Sequence, residues 1–335
     1  MDAICVVGFP SKVGGADTEL DHQIRCWQAM GLRVHLIPTG KLDSNLRAMG
    51  MEQRGCVVHE PSDWQACRGM HVISYCNGGF LKHLAKIKQH ARSTTFSNCM
   101  TWLFDAERVA HRDGLIDYFL YQTDHARLRM QDELLAINPK FQWFNVRPYF
   151  HCDDFPFIED RPSDCFRFGR ISREDLGKYH QAQLWVYEAM VAPVLKSGMI
   201  LGINDKIRAK IGTEPNWIKG FRAGGLASQQ LYAHSECIIQ MTDTHENLPR
   251  IGFEAMSSGS MLIVDDRGGW RDLVMHKQTG YLCKDQREFV YYASRAAFER
   301  QERRQMVRAA RDWLDCNWGL DQAQAQWSRF FNAIA

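Results

Sequence analysis

Several absences narrow the reading of this sequence before any motif is considered. No run approaches the roughly 18 apolar residues a membrane-spanning helix needs, so any membrane contact is expected at the surface. The N-terminus has no basic stretch followed by an apolar one, as a secretory leader would. It opens directly into the strand-like Ala3-Ile4-Cys5-Val6-Val7. The 11 cysteines are scattered from Cys5 to Cys316 with no Cys-x-x-Cys spacing. That argues against a zinc ribbon or a disulfide framework and for reduced thiols packed as small hydrophobes in a cytoplasmic protein. The dinucleotide spacing Gly-x-Gly-x-x-Gly is missing, which disfavours a nicotinamide cofactor. A convincing Asp-x-Asp metal motif is missing too. Neither sign of charge is in excess, the net charge being +2, so composition demands no nucleic-acid partner.

What is present is a chain of 335 residues, 45% hydrophobic and 24% charged. That is long enough to bury two cores. The opening reads as a β–α–β unit: an apolar strand over 3–9, a turn-rich loop over 10–15, a helix over 17–30 and a strand over 32–37. The helix carries Leu20, Ile24 and Trp27 on one face, with Gly31 as its stop. Further strands are expected at 70–76, 94–99, 118–122 and 143–146. The segment 148–164, with Pro148, Pro156 and Pro162, breaks the pattern as a linker. Strands then resume near 167–168, 199–203, 237–241, 261–265 and 280–283, with helices at 181–196 and 252–258. A long helical region runs from about 288 and breaks near 317–319. Its last piece spaces Leu320, Ala323, Trp327, Phe330 and Ile334 helically. This alternation implies α/β architecture: two doubly wound, Rossmann-like domains with parallel sheets covered on both faces. The expected division is 1–155, completed by the C-terminal helix 319–335, and 156–318, with a ligand cleft between them.

The informative segment is 241–283, MTDTHENLPRIGFEAMSSGSMLIVDDRGGWRDLVMHKQTGYLC. Glu246 and Glu254 are separated by seven residues, with the loop Asn247-Leu248-Pro249-Arg250 between them. A helix starts near Ile251 or Gly252. A loop feeding a helix N-terminus suits an anion, because free amides and the positive dipole end point outward. A strand then ends in Asp265, Asp266 and Gly268-Gly269, a pair that lets the backbone bend sharply.

In this segment the sequence resembles the retaining glycosyltransferases of the GT-B fold, in particular the large family 4. Their ordered pattern is met by Glu246, Glu254-Ala255-Met256, Ser258-Gly259, Leu262-Ile263-Val264, Gly268-Gly269 and Thr279-Gly280. The resemblance covers about 228–284, with weaker echoes elsewhere. It implies transfer of a hexose from a nucleotide-diphosphate sugar, UDP being the commonest carrier, with no cofactor or divalent metal required. Glu246 would hold hydroxyls of the transferred sugar, and Glu254 the ribose. The backbone N–H groups between Asn247 and Ile251, those of Asn247, Leu248, Arg250 and Ile251 with Pro249 shaping the turn, would take the diphosphate together with Arg170 and Lys178. The spacing from Arg170 to Lys178 is longer than in the family, so Arg173 competes for that role. Gly14 and Gly15 stand where relatives place a glycine loop near the donor phosphates. Phe221, with Lys219, Gly220 and Arg222, is expected to help form the base pocket. Many relatives carry a His after the strand that corresponds to 94–97; this chain has Asn98, expected instead to supply a hydrogen bond to the sugar. His245 is the one histidine that adjoins the acidic pair.

The acceptor is expected on the N-terminal domain. Asn77-Gly78-Gly79 ends a strand there and suggests close approach of a ligand. The following stretch 80–92, FLKHLAKIKQHAR, has no acid, and on a helix aligns Lys82, Lys86 and His90 beside His83. It would meet an anionic acceptor: a surface glycan or lipid-linked saccharide, or the hydroxymethylated bases of phage-type DNA, with a small-molecule acceptor as the remaining alternative. The rivals are a nucleotide-sugar epimerase or hydrolase, and a non-catalytic nucleotide-sugar binding protein. The expected location is the cytoplasm, with peripheral attachment at a membrane surface as the variant. The sequence does not speak to the oligomeric state.

Overall fold

The structure is a computed structural model that describes residues 1–8, 15–40 and 50–335. It divides into two compact units, Met1–Phe150 with Trp318–Ala335, and His151–Asn317.

The first unit carries β1 (Ala3–Val7), α1 (Gly15–Ala29), β2 (Arg33–Ile37), β3 (Val57–Val58) and a 3-10 turn over Trp64–Cys67. It continues with β4 (His71–Tyr75), α2 (Gly78–Lys88), β5 (Ser93–Ser97), α3 (Asp105–Arg112), β6 (Tyr118–Tyr121), α4 (Asp124–Ile137) and β7 (Trp143–Asn145). The sheet order is β3-β2-β1-β4-β5-β6-β7, and all its pairs are parallel. A parallel sheet is buried on both faces, and successive side chains alternate between them. Accordingly Ile4 and Val6 enter one core while Cys5 and Val7 enter the other.

The second unit carries a 3-10 turn over Cys152–Asp154, then β8 (Cys165–Ile171), a 3-10 turn over Leu176–Lys178, α5 (Gln183–Ala189), β9 (Leu195–Leu201), α6 (Asp205–Ile211) and β10 (Ile218–Phe221). After these come α7 (Ser228–His234), β11 (Cys237–Gln240), α8 (Arg250–Ser257), β12 (Met261–Asp265), α9 (Trp270–Leu273), β13 (Gly280–Cys283), α10 (Gln286–Phe298) and α11 (Arg300–Trp318). The parallel sheet runs β10-β9-β8-β11-β12-β13. The chain returns to the first unit through α12 (Leu320–Ile334), whose Ala323, Trp327, Phe330, Phe331 and Ile334 are buried in the core that holds Ile4 and Val6.

Both sheets are doubly wound. In the first unit the winding reverses between β1 and β4, and in the second between β8 and β11. Ligands of such sheets bind where the winding reverses, beyond the carboxyl ends of the strands. In the second unit the loops after β8 and β11 are therefore the ones to inspect.

One expected helix is shorter than its pattern. The 181–196 stretch forms α5 only to Ala189, and Leu195 and Lys196 belong to β9. Pro193 lacks the amide a helix needs and disfavours helical backbone just before it. Met190 has already left with an extended conformation, φ −63° and ψ 139°. The linker also holds more structure than its prolines suggest. Within it Arg161 is buried and donates to the carbonyl oxygens of Tyr232 at 2.8 Å, Ser258 at 3.1 Å and Gly259 at 2.6 Å.

Candidate active site

The loop after β8 and the loop after β11 are stitched side by side. The Asp243 amide donates to the Gly177 carbonyl at 3.1 Å and Thr244 Oγ1 does so at 3.2 Å. Lys210 bridges the same two loops, donating to the Leu176 carbonyl at 2.8 Å and to Asp243 Oδ2 at 2.5 Å. A side chain at Gly177 would come within 2.7 Å of Thr244 Cγ2, so the approach depends on a glycine there. Asp175 accepts from the Gly177 amide at 2.9 Å and caps the short turn that ends in Lys178.

This stitching brings Lys178 Nζ to 2.6 Å from Glu246 Oε2. The pair lies 68 residues apart in sequence and is mostly buried, with side-chain exposures of 19% and 13%. A third segment supports it from β12. The Gly269 amide donates to the Glu246 carbonyl at 2.9 Å. A β-carbon at Gly268 would lie 2.6 Å from that same carbonyl oxygen, and Gly268 has a left-handed φ of +56°. Asp265 completes the support, accepting from the Thr242 amide at 2.9 Å and from Thr242 Oγ1 at 2.8 Å. Burial pushes the Asp265 carboxyl up to about 6, while nearby Arg267 and the Thr242 donors pull it down.

Asn247, Leu248, Pro249 and Arg250 follow as a buried run, with Ile251 partly exposed. They lead into α8, which has Pro249 as its N-cap and no side-chain cap. Glu254, partly exposed on α8, accepts from Tyr232 Oη at 2.7 Å. Burial raises its carboxyl above the ordinary range; the Tyr232 bond and Arg250 act the other way. A nearby cavity of about 390 Å³ shares Thr242, Asp265 and Arg267 with this support, but neither Glu246 nor Glu254 lines it.

Other expected site residues stand apart from this pair or behind it. Arg170 is fully buried. Its guanidinium donates to Gln183 Oε1 at 3.2 Å, to Ser172 Oγ at 2.9 Å and to the Lys178 carbonyl, and it packs 3.4 Å over the Tyr179 ring. Those bonds leave it behind the loop that carries Lys178 rather than open to a diphosphate. Arg173 is exposed on the same loop, as is His245 next to Glu246. Phe221 ends β10 and its carbonyl accepts from the amides of Gly202 and Ile203.

In the first unit, Asn98 is also fully buried. Its amide nitrogen donates to Glu107 Oε2 at 2.8 Å and to the Trp102 carbonyl at 3.0 Å, and its oxygen accepts from the Met100 amide at 2.8 Å. It organises its own loop and leaves no group for a sugar. Asn77 is the N-cap of α2, accepting from the Phe80 amide at 2.9 Å. Gly79 makes room for Thr39, whose Cβ would lie 2.5 Å from an added β-carbon; Gly78 next to it is exposed. Lys82 and Lys86 are exposed on α2, whose opposite face buries Phe80, Leu81, Leu84 and Ile87. Gly15 begins α1; Gly14 lies outside the described residues. Sequence reasoning missed Tyr232 and Gly177 and gave Asp265 no role beyond ending a strand, because each acts through a neighbour that only folding supplies.

Among the described residues no group of three or more His, Cys, Asp or Glu side chains could hold a metal ion. No described helix is long and apolar enough to cross a membrane.

No protein-family model matches the chain, and a sequence search of curated proteins finds no match either. Among solved structures it is similar to HepE of Anabaena in complex with UDP-glucose, at 15% identity over 99% of this chain and 100% of that one, with a TM-score of 0.72. It is also similar to the sucrose-phosphate synthase of Thermosynechococcus elongatus, at 11% identity, 100% and 99% coverage and a TM-score of 0.75. A third similar structure is TarM, at 10% identity, 99% coverage of both chains and a TM-score of 0.76. These neighbours are glycosyltransferases of the GT-B type, and at such identities the likeness shows the fold: two Rossmann-like units with parallel sheets of seven and six strands.

Proposed function

We propose that the chain is a retaining glycosyltransferase that moves a hexose from a UDP-sugar to a hydroxyl on a surface glycan or lipid-linked saccharide. The observation that carries this reading is the Lys178–Glu246 pair at 2.6 Å, set at the strand ends where the second sheet's winding reverses and followed by the uncapped start of α8. A mostly buried carboxylate can accept from two sugar hydroxyls. The ammonium beside it stabilises charge that grows on the departing diphosphate. Amides of the Asn247–Ile251 turn take the diphosphate at the helix N-terminus, and Glu254 accepts from the ribose.

Arg170 contributes by holding the Lys178 backbone in place. The reading assigns no nucleophile: the acceptor attacks on the face the diphosphate leaves, and the departing phosphate takes the acceptor's proton, so rate comes from positioning and electrostatics. No divalent metal enters this scheme. The exposed Lys82 and Lys86 on α2 favour an anionic acceptor, and hydroxymethylated DNA is the alternative of the same charge.

Transfer from UDP-glucose and related donors, assayed on lipopolysaccharide and on hydroxymethylated DNA with EDTA present, tests the proposal. Glu246→Ala should lower turnover by about a hundredfold or more while the melting temperature is kept. Near wild-type turnover in that variant would remove Glu246 from the chemistry. Free sugar or epimer formed in stoichiometric amounts without acceptor would point instead to a hydrolase or epimerase. Donor binding with no turnover on any acceptor would point to a binding protein.

A further inference from the structure

Tyr232 belongs to none of the motifs that suggested a donor site, yet it is the residue that grips Glu254. Its ring is fully buried on α7. Its hydroxyl donates to Glu254 Oε2 at 2.7 Å, with the Ile251 carbonyl oxygen 3.4 Å away. Its own carbonyl is held in turn, accepting from Arg161 Nη2 at 2.8 Å and from Ser260 Oγ at 3.2 Å. The phenol is therefore fixed at its backbone and bonded at its tip.

A glutamate side chain has three rotatable bonds, and ordering it on ligand binding costs conformational entropy. A carboxylate already held by one donor avoids that cost and keeps its remaining acceptor positions on Oε1 and Oε2. Burial disfavours the charged form of Glu254, and the Tyr232 bond offsets part of that effect. The bond from Tyr232 Oη fixes Oε2 as an acceptor.

On the footing of the proposed donor site, we infer that Tyr232 is the positioning residue of the nucleotide pocket, locking the Glu254 carboxylate to accept the vicinal hydroxyls of a ribose. A purely structural role for Tyr232 predicts something different. Removing its hydroxyl would then affect every nucleotide alike, because the ring packs against Phe155, centroids 5.9 Å apart, whichever ligand binds.

Calorimetric titration of UDP and of 2′,3′-dideoxy-UDP into the full chain separates the two. Wild type should prefer UDP. Tyr232→Phe should lose about tenfold in UDP affinity, the worth of one hydrogen bond to a charged group, and nothing for the dideoxy analogue. Glu254→Asp keeps the charge but draws it out of Tyr232's reach, and should show the same narrowed preference. Equal weakening of both nucleotides, or an undiminished preference for UDP in both variants, overturns the inference. Glu254→Ala tells the two levels apart. If it binds UDP as wild type does, the donor-site reading fails and this inference with it. If it loses the ribose preference while Tyr232→Phe and Glu254→Asp keep it, only the role of Tyr232 falls.

Discussion

At Gly269 the backbone of Asn247 passes so close that an added β-carbon would lie 1.5 Å from the Asn247 carbonyl oxygen. No rotamer relieves that overlap, since both partners are backbone-fixed. We therefore expect Gly269→Ala to displace the Glu246–Asn247 turn and destabilise the chain by about 3 kcal/mol or more. Denaturant unfolding measures the loss, and a change under 0.5 kcal/mol would show that the turn yields freely. The acidic pair and the Gly-Gly beside it formed a readable pattern because their spacing along the chain is short, whereas spacing left Lys178 and Arg173 in competition and folding brings Lys178 to Glu246. The bonding of Arg170 was not readable. Its type and position suggested an anion ligand, whereas burial, Gln183 and the Tyr179 ring depend on where α5 and the Lys178 turn pack. Asn98 shows the same limit, since its partner Glu107 comes from the helix that follows.

Among the elements, α7 and α8 carry Tyr232 and Glu254, and Arg161 ties their C-terminal ends together. Its guanidinium serves carbonyl oxygens of Ile158, Tyr232, Ser258 and Gly259, where helix dipoles place partial negative charge. Burial lowers its pKa to about 10, so the site carries a real desolvation cost. Arg161→Met removes that cost but leaves several buried carbonyls bare, at about 1 kcal/mol or more each. The orphaned acceptors outweigh the relief, and we expect a net loss of about 3 kcal/mol in urea unfolding, with weaker UDP binding as α7 shifts. A variant as stable as wild type would mean that water replaces the guanidinium. The strands were readable from their apolar runs, and 261–265 and 280–283 match β12 and β13 residue for residue. The short β3 and β10 were not, since two to four residues with exposed members carry too little pattern. The contacts of Arg161 were equally hidden, because all its carbonyl partners but Ile158 lie 71 to 98 residues away.

For the whole molecule, burial raises carboxyls in both units, Glu107 in the first and Asp265 and Glu254 in the second. Burial lifts Glu107 to about 7, against bonds from Phe104, Asn98 and the charge of Arg108 that lower it, and lifts Asp265 to about 6. Both values exceed those of the unfolded chain, near 4. At these two groups the folded state binds more protons than the unfolded state between about pH 4 and 7, and their contribution to stability falls as pH rises through that window. Glu107 alone should cost about 1 kcal/mol between pH 6.5 and 8. Histidines oppose the trend at lower pH. Burial lowers His35, His71, His111, His234 and His276, so their contribution is lost as pH falls through and below about 6.5. The two sets act in opposite directions, so Glu107 is isolated by a single substitution. Melting curves from pH 5 to 8 compare wild type with Glu107→Gln, whose slope between 6.5 and 8 should shift upward by about 1 kcal/mol relative to wild type. The glutamine keeps an acceptor for the Asn98 and Phe104 donors and has no proton to lose. An unchanged slope in that variant would show that Glu107 is ionised in the folded protein near neutral pH, with water reaching the Oε1 that has no protein partner.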